Sequence, residues 1–329
     1  MKKVISIEAR LIIIAVVVFT IGVILFTARH FGTATQGLQP AFNAEFLTRP
    51  DGYQGLCEHY GFRFPIQPKQ MADGLMYKAL ADGAVDVIDA FSTDGRIPAY
   101  NLLVLEDDKQ FFPPYYGAPL VRQETLKKFP ELEYILNQVA GRLSNKTMQK
   151  LNFEVDEHGR IAHDVAHEFL LSQGLIQGDF KLPDDFTDRV TIASKEFTEQ
   201  EIIGELMAIL IEANSKIKVI RKLNLGSTMI AFNALKAGDI DLYAEYTGTG
   251  LVTVLKRDVV SNPDETYRIV KEEFSKRYNL IWLKPFGFNN TYTLTMRKVH
   301  AKTLGIETIS DLAAYSNKTD PCFLNHKTK

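Results

Sequence analysis

Four aromatic residues stand in loop-like positions of the chain rather than on helical stripes. They are Phe91 in DAFSTDG, Tyr115 in FFPPYYG, Tyr246 in EYTGTG and Tyr292 in GFNNTYTLT. Aromatic faces attract quaternary ammonium ions through the ring quadrupole, by about 0.5–2 kcal/mol per ring when desolvated. A cage of several rings can therefore hold a trimethylammonium group, which donates no N–H hydrogen bond. Taken singly, each ring fits core packing better than a cage, so the residue types alone do not decide the matter.

The sequence contains only weak signals for a catalytic or metal-binding site. His163 and His167 in AHDVAHEF have a spacing that can hold a metal, with Glu168 beside them. The segment lacks the HExxH order, and a solvated helix face is the better interpretation. The chain contains no P-loop, GxSxG or GxGxxG motif, and no nucleophile–base pair can be defended. We therefore expect a protein that is not an enzyme and needs no cofactor or metal.

Two similar stretches position two of the four rings. Residues 79–95 read ALADGAVDVIDAFSTDG, and residues 234–250 read ALKAGDIDLYAEYTGTG. Each predicts a helix end, a Gly, a short strand containing an Asp, and then an aromatic residue. Open α/β sheets bind ligands at the carboxyl ends of their strands. The repeat therefore predicts two similar lobes facing each other across a cleft, with chance similarity between two βα units as the alternative.

The remaining chain alternates between strand and helix patterns, which favours an α/β architecture with mostly parallel sheets. GYQGLCEHYGF predicts a helix that closes at Gly61. QMADGLMYKALADG predicts a second helix with Leu75, Met76 and Leu80 on its apolar side. Ser310 is a candidate cap for the last helix.

Composition is that of a globular protein with room for two lobes: 329 residues, 46% hydrophobic and 24% charged. The net charge of -2 makes nucleic acid an unexpected partner. Cys57 and Cys322 are the only cysteines. One disulfide and two unrelated buried thiols both remain open, and the second is favoured.

The N-terminal region predicts a membrane anchor. Residues 11–28 carry no charge and would span roughly 27 Å as a helix, about one hydrocarbon core. Lys2, Lys3 and Arg10 precede this segment, so we expect a cytoplasmic N-terminus (residues 1–10) and an extracytoplasmic remainder. Residues 29–41 would form a tether. A cleaved signal peptide is the alternative to this single-pass anchor in the cell membrane.

Several longer motifs resemble substrate-binding proteins of osmoprotectant ABC importers, over residues 42–176 and 190–318. The motifs are FLTRPDGYQGL, KQMADGLMYKAL, DVIDAFSTDGRI, LEDDKQFFPPY, KEFTEQ, DLYAEYTGTG and KPFGFNNTY. The resemblance implies a two-lobed, type II periplasmic-binding-protein-like (Venus flytrap) fold. It also implies a ligand such as glycine betaine, carnitine or choline, and a membrane permease of an ABC transporter as the partner.

The resemblance also implies the site residues. The aromatic box would consist of Tyr246, Tyr292, Phe91 and Tyr115, and members of the family usually carry Tyr at the position of Phe91. The remaining site residues implied by the motifs, or suggested by residues within them, have polar or charged side chains. These are Thr249, which would donate to a ligand carboxylate and so favour betaine or carnitine, Gln200 as a ligand contact, Lys195 as a carboxylate counter-charge, and Asn290 beside Tyr292.

The motifs occur in an unusual order. The family places the KEFTEQ half first, whereas here the RPDGY half (residues 42–176) precedes it, and a polar linker (residues 177–189) joins the two halves. This order predicts a circular permutation. One lobe would contain residues 91–176 and 190–284, the other residues 42–90 and 285–318, and residues 319–329 form a divergent tail.

Three other hypotheses stay open. The chain could be a truncated remnant of a tandem binding protein that folds by swapping halves in a homodimer. It could be a ligand-sensing ectodomain, since it contains no permease. A cofactor-bound enzyme on a similar fold would need a reactive Cys in the cleft, and Cys57 lies on a predicted helix away from the box motifs.

Overall fold

The computed structural model describes residues 37–178 and 186–320 of the chain. Short strands alternate with helices throughout this part. The strands are β1 Pro40–Phe42, β2 Lys69–Gln70, β3 Val87–Phe91, β4 Leu102–Val104, β5 Gly117–Arg122, β6 Asp188–Lys195, β7 Ile217–Gly226, β8 Leu242–Tyr246, β9 Leu280–Trp282 and β10 Tyr292–Arg297.

The helices pack around these strands. They are α1 Ala44–Thr48, α2 Tyr53–Tyr60, α3 Asp73–Ala81, α4 Arg96–Ala99, α5 Gln123–Lys128, α6 Glu131–Asn137, α7 Asn145–Asp156, α8 Ala162–Ser172, α9 Thr198–Asn214, α10 Thr228–Ala237, α11 Thr247–Thr249, a π-helical turn Gly250–Val254, α12 Pro263–Tyr278, α13 Lys298–Leu304 and α14 Ile309–Thr319.

The strands form two five-stranded sheets with one arrangement. The first sheet has the order β2-β1-β3-β10-β4, and the second has the order β7-β6-β8-β5-β9. In each sheet one strand, β10 or β5, runs antiparallel to its two neighbours, and the remaining pairings are parallel. We call the first sheet with its helices the first lobe, and the second sheet with its helices the second lobe. The expectation of a two-lobed α/β fold is confirmed, and β3 and β8, from the two repeated stretches, lie at the centre of their sheets.

The described chain passes between the lobes through two segments. Residues 105–116, the first crossover, lead from β4 into β5, and residues 283–291, the second crossover, lead from β9 into β10. The two crossovers contact each other, since the backbone N–H of Asn290 donates to the carbonyl of Tyr115 at 3.0 Å. The backbone N–H of Tyr115 donates in turn to Asn289 Oδ1 at 2.6 Å. Because β4 pairs with β10, the first lobe extends beyond the predicted division at residue 91.

Helix α2 ends as expected, whereas the apolar face of α3 differs from the prediction. Gly61 follows α2 with a left-handed backbone (φ 69°), which closes that helix. Met76 and Leu80 are fully buried, but Leu75 is 64% exposed. Neighbouring residues on a helix point about 100° apart, so Leu75 faces solvent although it stands beside the buried Met76.

The cap of α14 also differs from the prediction. Thr308, not Ser310, is the N-cap residue, and its side chain accepts from the backbone N–H of Asp311. Asp311 in turn accepts from the backbone N–H of Thr308 at 3.0 Å. This reciprocal capping box satisfies two backbone donors at once, which a lone Ser inside the first turn does not do.

Helix α9 forms the centre of the second lobe and is buried on almost every side. Its two buried acids near the middle and the end, Glu205 and Glu212, are both paired with Arg221, at 2.9 Å and 2.8 Å. His163 Nδ1 lies 3.1 Å from Glu205 Oε2. Within residues 37–178 and 186–320, no group of three or more His, Cys, Asp or Glu residues is arranged to hold a metal ion.

Some sequence predictions fall outside the described residues. The predicted anchor (residues 11–28), Cys322 and most of the tail belong to the part that is not described, as do residues 179–185 of the linker. Among the helices that are described, none is both long and apolar enough to cross a membrane. Cys57 is a free, buried thiol in α2, and burial raises its pKa to about 11.

Candidate functional site

A cavity of about 740 Å³ lies between the two lobes. The two lobes and both crossovers contribute to its walls. Seven of the eight predicted site residues line it: Phe91, Tyr115, Lys195, Tyr246, Thr249, Asn290 and Tyr292. Distant parts of the sequence, which the motif order alone left scattered, therefore meet at one cleft.

The strand ends position the rings. Phe91 is the last residue of β3 and Tyr246 the last of β8. Tyr292 begins β10, in register with Phe91 on the neighbouring antiparallel strand. Tyr115 lies in the first crossover, just before β5. The repeated βα pattern thus presents its aromatic residue at the cleft in both lobes, as predicted.

The predicted rings are joined by a fifth, Phe197. Tyr115 contacts Tyr292 edge to face at 5.7 Å between ring centroids, and Tyr292 contacts Phe91 at 5.0 Å. Phe197 stacks on Phe91 at 6.2 Å and on Tyr246 at 6.3 Å. Phe197 also lines the cavity, so the rings form one continuous wall. It stands inside the KEFTEQ motif, between the predicted residues Lys195 and Gln200, so an aromatic residue within a matched motif was the available signal.

Arg49 is a second residue that the sequence interpretation missed. Its guanidinium carbon lies 5.4 Å from the ring centroid of Tyr292 and 5.9 Å from that of Tyr115. Asp51 binds the same guanidinium through both oxygens, at 2.8 Å and 2.6 Å, and also accepts from the hydroxyl of Tyr115. Burial by itself would lower the pKa of Arg49, but the two tyrosines and Asp51 raise that pKa well above its usual range. The cation is therefore permanently charged and already paired.

Glu199 is a third missed residue, adjacent to the predicted Gln200. It is 3% exposed and accepts hydrogen bonds from four side chains. The donors are Thr93 Oγ1 at 2.5 Å, Asn152 Nδ2 at 3.2 Å, Tyr246 Oη at 2.6 Å and Asn290 Nδ2 at 2.9 Å. Burial raises the pKa of Glu199, although all four hydrogen bonds act to lower it.

Gln200 itself is buried but does not line the cavity. Its Oε1 accepts from the backbone N–H of Lys195 at 3.3 Å, so it supports the end of β6 from behind. Consecutive residues in the first turn of α9 point in different directions, which places Glu199 at the cleft and Gln200 in the wall.

Lys195 lines the cleft with its charge paired. Its ammonium group lies 2.6 Å from Glu245 Oε1, and neither side chain is more than 6% exposed. The same ammonium lies 4.8 Å from the ring centroid of Tyr246. Lys195 therefore packs against the ring of Tyr246. A ligand carboxylate would have to compete with Glu245 for the ammonium group of Lys195.

Thr249 and Asn290 provide polar atoms at the cleft. Thr249 lies in α11, directly after the β8 strand, and is 4% exposed. Asn290 Oδ1 is buried and accepts no hydrogen bond from the described residues. A hydroxyl and an amide oxygen can serve a ligand as donor and acceptor respectively.

Carboxylates outnumber cations on the cavity lining. The carboxylate residues are Glu45, Asp73, Asp94, Asp156, Glu196 and Glu199, and the cationic residues are Arg49, Arg96 and Lys195. Arg96 pairs with Asp94 at 2.5 Å, so each of these three cations has its own acidic partner. A cleft with an excess of negative charge concentrates cations from solution.

Comparison with known proteins agrees with this geometry. A family model described as the substrate-binding domain of the ABC-type glycine betaine transport system matches residues 32–172 and 188–328. The carnitine transport binding protein OpuCC of Listeria monocytogenes is 45% identical over 129 residues, 39% of this chain and 41% of the relative. The glycine-betaine-binding protein of Pseudomonas aeruginosa is 39% identical over 137 residues, 41% of this chain and 44% of the relative.

A solved structure matches one part of the chain. The crystal structure of a glycine betaine/carnitine/choline ABC transporter shares 40% identity over 42% of this chain and 50% of that chain, with a TM-score of 0.35. The aligned part of this chain spans less than half the length of the two curated relatives. The family model, in contrast, covers most of the sequence in two stretches. The protein therefore belongs to the family of substrate-binding domains of ABC-type glycine betaine transport systems.

Proposed function

We propose that this protein is the extracytoplasmic solute-binding component of an ABC importer for quaternary ammonium osmoprotectants, such as glycine betaine, carnitine or choline. The observation that carries this proposal is the continuous wall of five rings in an acidic cleft between two lobes. Each ring face within reach of a desolvated trimethylammonium group adds about 0.5–2 kcal/mol. The excess of carboxylates on the cleft lining also attracts the positively charged ammonium group.

The polar end of the ligand would meet Thr249, Asn290 and Arg49. The hydroxyl of Thr249 can donate to a carboxylate, which favours betaine or carnitine. The free acceptor Asn290 Oδ1 suits a ligand hydroxyl, which carnitine and choline both possess. Lys195 contributes less than the sequence suggests, because Glu245 already pairs with it.

Calorimetric titration of the full-length chain tests the proposal. Glycine betaine, carnitine, choline and proline are titrated in turn, and we expect saturable binding of at least one quaternary ammonium compound. Tyr292→Leu should weaken that binding about tenfold or more, since it removes the ring that joins Tyr115 to Phe91 in the wall. Tyr134→Leu is the matched control, because Tyr134 is 75% exposed on α6 and away from the cleft. Failure of all three quaternary ligands to bind would reject the proposal.

We also propose that the chain is a circular permutation of the family's fold, with its two halves in reversed order. Its support is the motif order, with the RPDGY half (residues 42–176) before the KEFTEQ half (residues 190–318), and the match of the family model in two separate stretches. A chain rejoined in the family's order, residues 186–320 followed by residues 37–178, should bind ligand as the natural chain does. Light scattering on the natural chain decides between one self-contained molecule and half-swapped pairs, which would appear as a dimer that dissociates on dilution.

The apolar segment at residues 11–28 would tether this binding protein to the membrane. Its length and lack of charge support this proposal. Retention of the full-length chain in the membrane fraction after a high-salt wash, and release when residues 1–28 are deleted, is the expected result. Equal release of both chains would reject the anchor.

A further inference from the structure

The carboxylate of Glu199 is the point where both lobes and a crossover meet. Thr93, in the loop after β3, belongs to the first lobe. Tyr246, at the end of β8, and Asn152, in α7, belong to the second lobe. Asn290 lies in the second crossover. All four donate to this one carboxylate, over distances of 2.5–3.2 Å.

These contacts orient parts of the aromatic box. The hydroxyl of Tyr246 is fixed by Glu199 Oε1, which holds the plane of that ring. Asn152 Nδ2 also donates to the backbone carbonyl of Thr93 at 2.9 Å, which holds the loop that follows Phe91. The same carboxylate therefore orders the ring of one lobe and the loop behind the ring of the other.

The charge of Glu199 has no cationic partner among its contacts. Its four hydrogen-bond donors are hydroxyl and amide groups, and the nearby cation Lys195 is paired with Glu245. A buried carboxylate with only neutral donors is costly, because burial removes the solvation of its charge. A cation arriving at the ring wall would supply the missing positive charge.

We propose that Glu199 is a positioning residue that also compensates the charge of the bound ligand, so that a cation in the box strengthens the contact between the lobes. This inference rests on the proposed function. It predicts that the protein distinguishes a quaternary ammonium ligand from its neutral tert-butyl analogue, in which carbon replaces nitrogen, largely through Glu199. The rings alone, with their weaker quadrupole attraction, would distinguish the two less.

The test measures the affinity of the full-length chain for such a pair, either choline or glycine betaine with its tert-butyl analogue. Glu199→Gln keeps the size of the side chain and removes the charge. We expect it to weaken binding of the ammonium ligand about tenfold or more, since the Coulomb attraction to the carboxylate is lost, while changing binding of the analogue about threefold or less. Glu201→Gln is the matched control, since Glu201 stands in the same turn of α9 and accepts from Asn224 at 3.3 Å outside the cavity.

Thr93→Val separates positioning from charge. It removes the donor from the first lobe and leaves the carboxylate, so both members of the pair should lose affinity by a similar factor. An unchanged ammonium-to-analogue ratio in Glu199→Gln would overturn the inference while leaving the proposed function in place. If Glu199→Gln does not fold, Thr93→Val tests the positioning role, which unchanged affinity for both ligands overturns. Equal affinity of the wild-type chain for the ammonium ligand and its analogue then overturns the charge compensation. A wild-type chain that binds no quaternary ligand rejects the proposed function instead.

Discussion

The first and second lobes repeat one strand order, but they stabilise charge near the cleft in different ways. In the second lobe, the residue before the repeated aromatic is Glu245, which pairs with Lys195 in a fully enclosed position. In the first lobe, the corresponding residue is Ala90, and the buried ion pair is instead formed by Arg49 and Asp51 in the turn after α1. Equivalent backbones therefore carry unrelated charge pairs beside the same ring wall.

The start of the repeated strand, in contrast, is stabilised in the same way in both lobes. Asp86, before β3, accepts from the backbone N–H of Gln39 at 3.0 Å. Asp241, before β8, accepts from the backbone N–H of Thr191 at 2.7 Å. In both lobes this Asp anchors the neighbouring parallel strand. The comparison shows that the repeat conserves the geometry that delivers an aromatic residue to the cleft, while the electrostatics around it vary by lobe.

The largest effect is expected from breaking the ion pair of the second lobe. Lys195→Met leaves the buried Glu245 without its cationic partner, so we expect a loss of about 3–5 kcal/mol in the free energy of unfolding. Replacing both residues, as Lys195→Met with Glu245→Leu, should recover most of that loss. Urea unfolding measures both. Lys78→Met is the control, because its pair with Asp82 is exposed and should contribute less than about 1 kcal/mol. A Lys195→Met variant that loses no more stability than the control would contradict the expected cost of leaving Glu245 without its cation.

A smaller effect, with a pH dependence, is expected at the strand anchor of the first lobe. Burial tends to raise the pKa of Asp86, but His300, the backbone of Gln39 and Arg297 together lower that pKa to about 2. A lowered pKa in the folded state stabilises the protein above the ordinary value of 3.8, and this contribution disappears as the pH falls through about 2.

Asp86→Asn should therefore cost about 1–2 kcal/mol near neutral pH. The difference from the wild type should shrink as the pH is lowered from about 5 to about 2. Unfolding by urea at a series of pH values measures this, with the exposed Asp82→Asn as the control. A difference that stays constant over that range would contradict the assigned pairing.

The smallest effects are expected at the equivalent aromatic residues Phe91 and Tyr246, when each is replaced by the residue type of the other. Tyr246→Phe removes the hydroxyl that donates to Glu199 and should weaken ligand binding by about 1 kcal/mol. Phe91→Tyr places a hydroxyl at the open cleft, where no buried partner is lost, and should change binding by about 0.5 kcal/mol or less. Calorimetry on both variants measures the asymmetry. Equal losses in the two variants would show that the lobes use their rings in the same way.

The residues that sequence reasoning located well are those at ends of regular elements. Phe91 and Tyr246 follow a strand signal that ends in small residues, and the structure places both at the cleft. Gly61 closes α2 because the chain takes a left-handed backbone conformation at that position, which glycine adopts without steric cost. These features depend on local backbone preferences, which the sequence expresses directly.

For the residues that were missed or misplaced, the outcome depends on the direction in which the side chain points in the folded protein. Leu75 and Met76 are neighbours in α3, yet only Met76 is buried, because the position of the sheet selects one side of the helix. Glu199 and Gln200 are neighbours in α9, and the orientation of that helix decides which of them reaches the cleft. Phe197 joins two rings from different lobes, and no sequence distance indicates that contact.

By itself, the sequence determined the repeated strand pattern, the chemical types of the rings and the family to which the chain belongs. These are properties of short stretches, where hydrophobic periodicity and turn residues act on the adjacent backbone. Only the tertiary structure decided that one carboxylate would join two lobes, that each lining cation would have an acidic partner, and that a fifth ring would complete the wall. Those outcomes follow from packing between distant segments, where burial and distance determine which charges and rings interact.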